Sequence, residues 1–306
     1  MTSLTTPAVS SNRAVLAGIG LMLFGIFLFS VNDVMGKWLV STYSVGQLLL
    51  IRSIGALIVL APFLVREGLT PLRQAPQPGL QVLRVVFSTL EVVAFYWAVV
   101  YLPLADVMTF YLAGPIYVAV LAALILGERL DGRRIAAVLA GFVGVLVVLR
   151  PSAATLTGPA LIAVGGSFCF ALLMITTRKL KGTSDSALVL GQILGALAFG
   201  IVAAPFGWVT PTVRDFGLLA LLGIVAMGAH VCVNRSLKLA PASVVSPYQY
   251  TLIVWAAVFG YFVFGDVLEV WTIVGAAFII AAGLWLALIE RDASTEPPSP
   301  APGEIP

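Results

Sequence analysis

The sequence predicts an all-α integral membrane protein, with ten transmembrane helices in two inverted five-helix repeats around a central cavity. Three observations carry this. The 306 residues are 60% apolar and only 10% charged, with a mean hydropathy of +1.06, whereas a soluble domain carries charge on about a quarter of its residues. Apolar runs long enough to cross a hydrocarbon core, which takes about 20 helical residues, recur along the chain. Landmarks of the first half also return in the second at a nearly constant offset.

The elements follow in order. Residues 1–12 read as a cytoplasmic N-terminal tail. Helix 1, 14–38, rests on LAGIGLMLFGIFLF. That run is too long for a signal-peptide core and lacks a cleavage pattern, so it stays as a span. Helix 2, 45–65, is apolar except for Arg52, and the turn-rich REGLTPLRQAPQPG closes it. Helix 3, 80–101, holds Glu91 in VVFSTLEVVAFYW, helix 4, 104–126, contains Pro115, and helix 5, 133–149, is spaced with glycine. LRPSAATLTGP then separates the halves 13–150 and 151–290. Helices 6 (157–178), 7 (186–206), 8 (214–238), 9 (243–264) and 10 (270–290) follow, and FGWVTPT breaks the chain between 7 and 8. Helix 9 contains Pro247. The Pro-rich stretch STEPPSPAPGEIP makes 291–306 a disordered cytoplasmic tail. GQILG (191–195) is a close-packing device between helices. Pro115 and Pro247 should bend their spans and are candidate hinges.

Charge sets orientation. With the N-terminus in the cytoplasm, thirteen Lys and Arg fall on inside segments: Arg13, Arg66, Arg73, Arg84, Arg129, Arg133, Arg134, Arg178, Lys179, Lys181, Arg235, Lys238 and Arg291. Only Lys37, Arg150 and Arg214 lie near outside ends. This bias places both termini in the cytoplasm, in a cell's inner (plasma) membrane. The net charge of +3 is thereby a membrane feature and not a nucleic-acid one.

At a shift of 138, Pro103 overlies Pro241, Val107 overlies Val245, Gly127 overlies Gly265, Glu128 overlies Asp266 and Ile135 overlies Ile273. Five helices per half is an odd number, so the second copy enters the membrane from the opposite side, an arrangement that builds many secondary transporters. The segment LPLADVMTFYLAGPIYVAVLAALILGERL, followed by the Gly-spaced GFVGVL, resembles the signature of the EamA family of the drug/metabolite transporter superfamily. APASVVSPYQ through FVFGDVL resembles its second copy, with Ile253 where the first has Pro115 and Asp266 in place of the motif's Glu. The resemblance covers nearly the whole chain. It implies a 5+5 carrier, often an exporter of amino acids or related metabolites.

Polar residues inside spans are candidates for chemistry, because an ionisable group at a helix centre costs about 2.5–3.5 kcal/mol on insertion scales. Asp33 and Lys37 share a helical face. They read either as a self-neutralising pair held against Arg52, or as an outer gate that anchors a zwitterion. Asn32 both donates and accepts, and so suits direct contact with cargo. Glu91 reads as a proton carrier or amine receptor, or as a partner of Arg52. His230, the only histidine, reads as a structural residue, or as a proton or cargo contact. The repeat pairs Tyr111 with Gln249, Phe110 with Tyr248 and Tyr96 with Asn234, positions that should converge near the pseudo-two-fold axis. A lining of Tyr96, Trp97, Tyr111, Gln192, Asn234, Tyr248 and Gln249 suits a small polar molecule with an apolar part. Trp208 and Trp255 read as interfacial or lipid-facing.

No phosphate-cradling loop, HExxH or nucleophile elbow appears, and neither Cys169 nor Cys232 has paired spacing. The expectation is therefore a secondary transporter without cofactor or metal, not an enzyme, with an intramembrane enzyme the distant alternative. Its partners are the lipid bilayer and a small molecule, amino acids first. Nucleotide sugars, S-adenosylmethionine-like cations and drugs are the alternatives, and export follows from the resemblance alone. Proton coupling, facilitated diffusion and the oligomeric state stay open.

Overall fold

The computed structural model describes residues 8–67, 76–102, 104–128, 131–149, 157–259, 261–262 and 270–295. Among these, every regular element is helical. The first helices are α1 (Ala8–Val40), α2 (Val45–Glu67), α3 (Pro78–Tyr101), α4 (Leu104–Tyr111), α5 (Gly114–Leu121, running into a π turn at Ala122–Leu126) and α6 (Gly132–Leu149). Then come α7 (Gly158–Lys179), α8 (Asp185–Ala203), α9 (Val213–Leu239), α10 (Ala242–Val245, followed by a 3-10 turn at Ser246–Tyr250), α11 (Thr251–Phe259) and α12 (Val270–Thr295). Six of them, α1, α2, α3, α7, α8 and α9, are long and apolar enough to cross a membrane, and shorter apolar helices cover Gly114–Leu126, Ile135–Gly144 and Ile273–Ala282. This is a multi-pass membrane protein.

Several bounds differ from the sequence reading. α1 begins at Ala8, inside the expected N-terminal tail, and α12 continues to Thr295, inside the expected disordered one. α8 stops at Ala203, short of 206, because Pro205 has no N–H to extend the ladder. The expected helix 4 is two helices: Leu112 and Ala113 form a turn immediately before Gly114–Pro115. Pro115 cannot donate to the carbonyl of Tyr111, four residues back, so the α ladder is interrupted there. Pro247 lies in the 3-10 turn between α10 and α11, where it likewise interrupts the α ladder. The connections at 68–75 and 150–156, the segment 263–269 and the tail 296–306 lie outside the described residues, and with them Arg73, Arg129, Arg150, Pro103, Gly265 and Asp266.

Capping follows composition. Ser184 accepts from the Ala187 N–H at 3.3 Å to start α8, and Thr212 accepts from the Asp215 N–H at 3.1 Å to start α9. Pro78 and Pro159 open α3 and α7, where a missing N–H costs nothing.

The helices pair as α1 with α9, α3 with α7, α2 with α8 and α6 with α12; α2 also packs on α9, and α3 on α8. Glycines make the tightest of these crossings. A Cβ on Gly46 would stand 2.5 Å from the Ala203 backbone, one on Gly200 2.6 Å from Leu50 N, and one on Gly55 2.6 Å from Ala220 O. Gly223 lies directly against the carbonyl of Arg52. In GQILG, Gly195 faces Thr89 and Gly191 faces Val85, so the motif seats α8 on α3.

Polar networks sit at both ends of the bundle. At one end Glu128 accepts from the Ala242 and Ser243 N–H groups (3.1 and 3.0 Å) and from Ser243 Oγ (2.6 Å), with Arg178 Nε 3.7 Å away. Arg178 Nη1 donates to Leu237 O at 2.7 Å, and Asp185 meets Arg235 and Lys238 at 2.6 Å each. At the other end Gln47 exchanges two hydrogen bonds with the Val209 backbone (2.5 and 2.9 Å). There too Tyr43 donates to Asp215 at 2.7 Å, and the carboxylate raises the phenol's pKa above its ordinary value.

Candidate substrate cavity

A cavity of about 70 Å³ lies at the centre of the bundle, well below the ~300–1,000 Å³ of typical ligand sites. Its ionisable wall comes from four helices: Asp33 on α1, Arg52 on α2, Glu91 on α3 and His230 on α9. The apolar wall includes Phe29, Phe95, Met108, Tyr111 and Phe170. Phe95 and Tyr111 meet edge-on at 5.2 Å, and Phe29 meets the His230 ring at 5.0 Å.

No ion pair joins Asp33, Arg52 or Glu91 among the described residues. The Arg52 guanidinium instead stands over the Tyr96 ring, 5.5 Å from its centroid, a cation–π contact, and its Nη1 is buried without a hydrogen-bond partner. Charges of both signs therefore line one small space without neutralising each other directly. His230 Nδ1 lies 3.2 Å from Gln192 Nε2. The amide N–H can only donate, so Nδ1 accepts and a neutral ring carries its proton on Nε2.

The residues singled out from sequence fall into three groups. Asn32, Asp33, Arg52, Glu91, Tyr96, Tyr111, His230 and Gln249 line the cavity, and Gln192 reaches it through His230. Asn32 also braces the bundle: its amide donates to Leu222 O at 2.9 Å and accepts from the Tyr96 hydroxyl at 2.9 Å. It ties α1 to α3 and α9, where the sequence reading had it only as a cargo contact. Tyr111 donates to the Glu91 backbone carbonyl at 3.1 Å, and Gln249 reaches Met174 Sδ at 3.0 Å.

The second group lies elsewhere. Trp97 is 39% exposed on the outside of α3, against Tyr101. Neighbours on a helix point about 100° apart, so with Tyr96 inward Trp97 cannot be. Asn234 is buried but accepts from Arg84 Nη2 at 3.0 Å, away from the cavity. Tyr248 packs in the core beside Val245 and Met174. Pro115 and Pro247 mark the two helix breaks.

In the third, Lys37 does not pair with Asp33. Its long stem carries the ammonium to Val99 O (2.9 Å) and Leu102 O (3.4 Å), where it caps the C-terminal end of α3.

Sequence reasoning missed two things. Arg84 was counted among the loop charges, yet it is 1% exposed and donates to Thr177 Oγ1 (2.7 Å), Leu188 O (2.9 Å) and Asn234, holding α3 to α7, α8 and α9. Its place two turns into the helix was the available signal. Phe29, Phe95 and Phe170 gave none, since apolar residues do not stand out in apolar helices.

The sequence profile described as the EamA-like transporter family matches this chain twice, over residues 16–150 and again over 157–288. The chain belongs to the EamA-like transporter family. It is similar to the S-adenosylmethionine uptake transporter of Rickettsia bellii, 28% identical over 281 residues that span 91% of this chain and 96% of that one. It is also similar to the pseudopaline exporter CntI of Pseudomonas aeruginosa, 27% identical over 90% of this chain and 97% of the relative. The riboflavin transporter of Rhizobium johnstonii is 26% identical over 96% and 98%. A crystal structure shares the fold, with a TM-score of 0.74 at 17% identity over 92% of this chain and 98% of that one. As an EamA-like protein with these relatives, the molecule is a metabolite transporter.

Proposed function

We propose that this EamA-like protein is a secondary carrier that moves a small metabolite bearing an α-amino-acid head group across a cell's inner membrane by alternating access. The observation that carries the cargo class is the wall of the central cavity. Arg52 answers a carboxylate, Asp33 and Glu91 answer positive charge, and aromatic rings pack the remainder. A simple amino acid places its carboxylate at Arg52 and balances the charge of its ammonium against one carboxylate across the cavity, with no direct contact required. The second carboxylate then takes either a proton or a second positive centre of the cargo. The first alternative is a proton-coupled amino-acid carrier. The second is a carrier of S-adenosylmethionine-like cations, whose sulfonium supplies that centre, and the Rickettsia relative's name supports it. Nucleotide sugars want several basic groups for their phosphates, and the cavity offers Arg52 alone.

Two inverted halves, 13–150 and 151–290, support the alternating mechanism. The family profile matches each half separately. Exchanging α1 with α7, α2 with α8, α3 with α9 and α6 with α12 turns the α1–α9 packing into the α7–α3 packing and leaves α2–α8 and α6–α12 unchanged. Counting α4–α5 and α10–α11 as one span each gives ten, with both termini in the cytoplasm from the Lys and Arg distribution. The relatives include both an uptake carrier and an exporter. Export of amino acids is the reading that family resemblance adds, and the gradient sets the direction.

The test is uptake of radiolabelled amino acids and S-adenosylmethionine into proteoliposomes, with and without a pH gradient, for wild type and Glu91→Gln. Saturable amino-acid uptake that follows the gradient only with Glu91 intact supports proton coupling. Gradient-independent S-adenosylmethionine uptake that Glu91→Gln weakens at least tenfold supports the cation reading. Absence of saturable uptake for every solute removes the cargo class.

A further inference from the structure

Beside the central cavity lies a second chamber of about 30 Å³, enclosed by α2, α3, α8 and α9. Arg52, Val92 and His230 line both spaces. Ser53, Ser88 and Gln192 make its wall polar, and Ala226 closes it. Two residues of this wall carry a buried atom without a hydrogen-bond partner, Arg52 at Nη1 and Gln192 at Oε1, and the residues are 8% and 5% exposed. Buried polar groups are almost always paired, and an unpaired donor or acceptor is costly. Here one is a cationic donor and the other a neutral acceptor.

Their complement is an anionic acceptor joined to an N–H donor. A metal ion would face the guanidinium, and a halide would serve Arg52 but leave the amide oxygen bare. A carboxylate beside an ammonium serves both, and the chamber has room for a terminal group of a few heavy atoms but not for a whole metabolite.

We propose that this side chamber is the head-group subsite: the cargo's carboxylate accepts from Arg52 Nη1, its ammonium donates to Gln192 Oε1, and the rest of the molecule passes Val92 and His230 into the aromatic cavity. The proposal rests on the cargo class argued above and adds where each end of that cargo sits. It makes the carrier selective for unblocked head groups and permissive toward the side chains attached to them.

The test is equilibrium binding to purified protein in lipid nanodiscs. The probes are S-adenosylmethionine and phenylalanine, each compared with its decarboxylated counterpart. In wild type, decarboxylation weakens binding tenfold or more. In Ala226→Leu, which fills the chamber, the intact probe weakens comparably and the penalty for decarboxylation shrinks to within twofold; in Gln192→Leu the intact probe weakens tenfold or more and the penalty for removing the ammonium, read with 3-phenylpropionate against phenylalanine, shrinks to within twofold. Gel filtration confirms that each variant is folded, and Gln192→Leu, which conserves volume, carries the test if Ala226→Leu does not fold. Intact and decarboxylated probes binding wild type equally overturn the subsite while the carrier reading stands. A decarboxylation penalty unchanged in folded Ala226→Leu, or a deamination penalty unchanged in folded Gln192→Leu, does the same, because the head group then lies elsewhere. No saturable binding or uptake of either probe removes the cargo class, and the subsite with it.

Discussion

At the scale of single residues, the centre of the molecule is organised by a few side chains that each serve two neighbours. Tyr96 holds Asn32 by its hydroxyl and supports Arg52 by its ring. It lies so close over α1 that a Cβ on Gly36 would fall 2.5 Å from its Cε1. Tyr96→Phe leaves Asn32 Oδ1 buried and unserved, at a cost of about 1–3 kcal/mol, and a lowered melting temperature in detergent checks it. Gly36→Ala pushes the ring aside and should reduce uptake severalfold; uptake equal to wild type would show that the ring position is unimportant. Cavity-lining residues were legible where one polar side chain interrupts an apolar run, as at Asp33, Glu91 and His230. What a polar residue does with its atoms was not legible. Asn32 and Lys37 donate to carbonyls of other helices, and a carbonyl's availability depends on packing that residue spacing does not encode. Trp97 was misplaced by adjacency, since a helix turns neighbouring side chains to different faces.

At the scale of elements, the contrast is between continuous helices and interrupted ones. The spans were legible to within a few residues because hydrocarbon thickness dictates their length. The interruption at Leu112–Ala113 was only half legible: Pro115 announced it, but how far a proline loosens its helix depends on what surrounds the freed carbonyl. Restoring the missing donor with Pro115→Ala or Pro247→Ala should slow turnover at least threefold with binding unchanged, as measured by uptake rate beside equilibrium binding. Unaltered turnover in both would show that neither break moves. Glu128 spans the ends of these two interrupted segments, joining the π turn after α5 to the start of α10. Glu128→Gln keeps the shape but weakens charge-assisted bonds, which are worth about 1.5–3 kcal/mol each. Labelling of a cysteine placed at Leu252 should then accelerate, reporting easier opening at that end.

For the whole molecule, the packing pairs imply a definite set of cross-links. Cysteines across α1–α9 and across α3–α7 should form disulfides with similar ease, because the two contacts exchange under the proposed pseudo-two-fold. A link that forms in one pair and never in the other would contradict the inverted repeat. The duplication, which the family profile matches as two segments, shows in the sequence as a constant offset between landmarks, of which Pro103, Gly265 and Asp266 fall outside the described residues.

The glycine crossings described above divide the protein mechanically. α2, α8 and α9 meet at Gly46, Gly55, Gly200 and Gly223 with backbone touching backbone, so no side chains intervene that could slide or repack between them. These three helices form a keel. In the proposed alternating-access carrier, the proline-broken segments Leu104–Leu126 and Ala242–Phe259 are its oars, bending where the keel does not. Arg52, Gln192 and His230 all belong to the keel, whereas Tyr111 and Gln249 ride on the oars. A cargo held by its head group against the keel stays registered while the far wall swings past it, so the grip that selects the molecule need not be released until the stroke is complete.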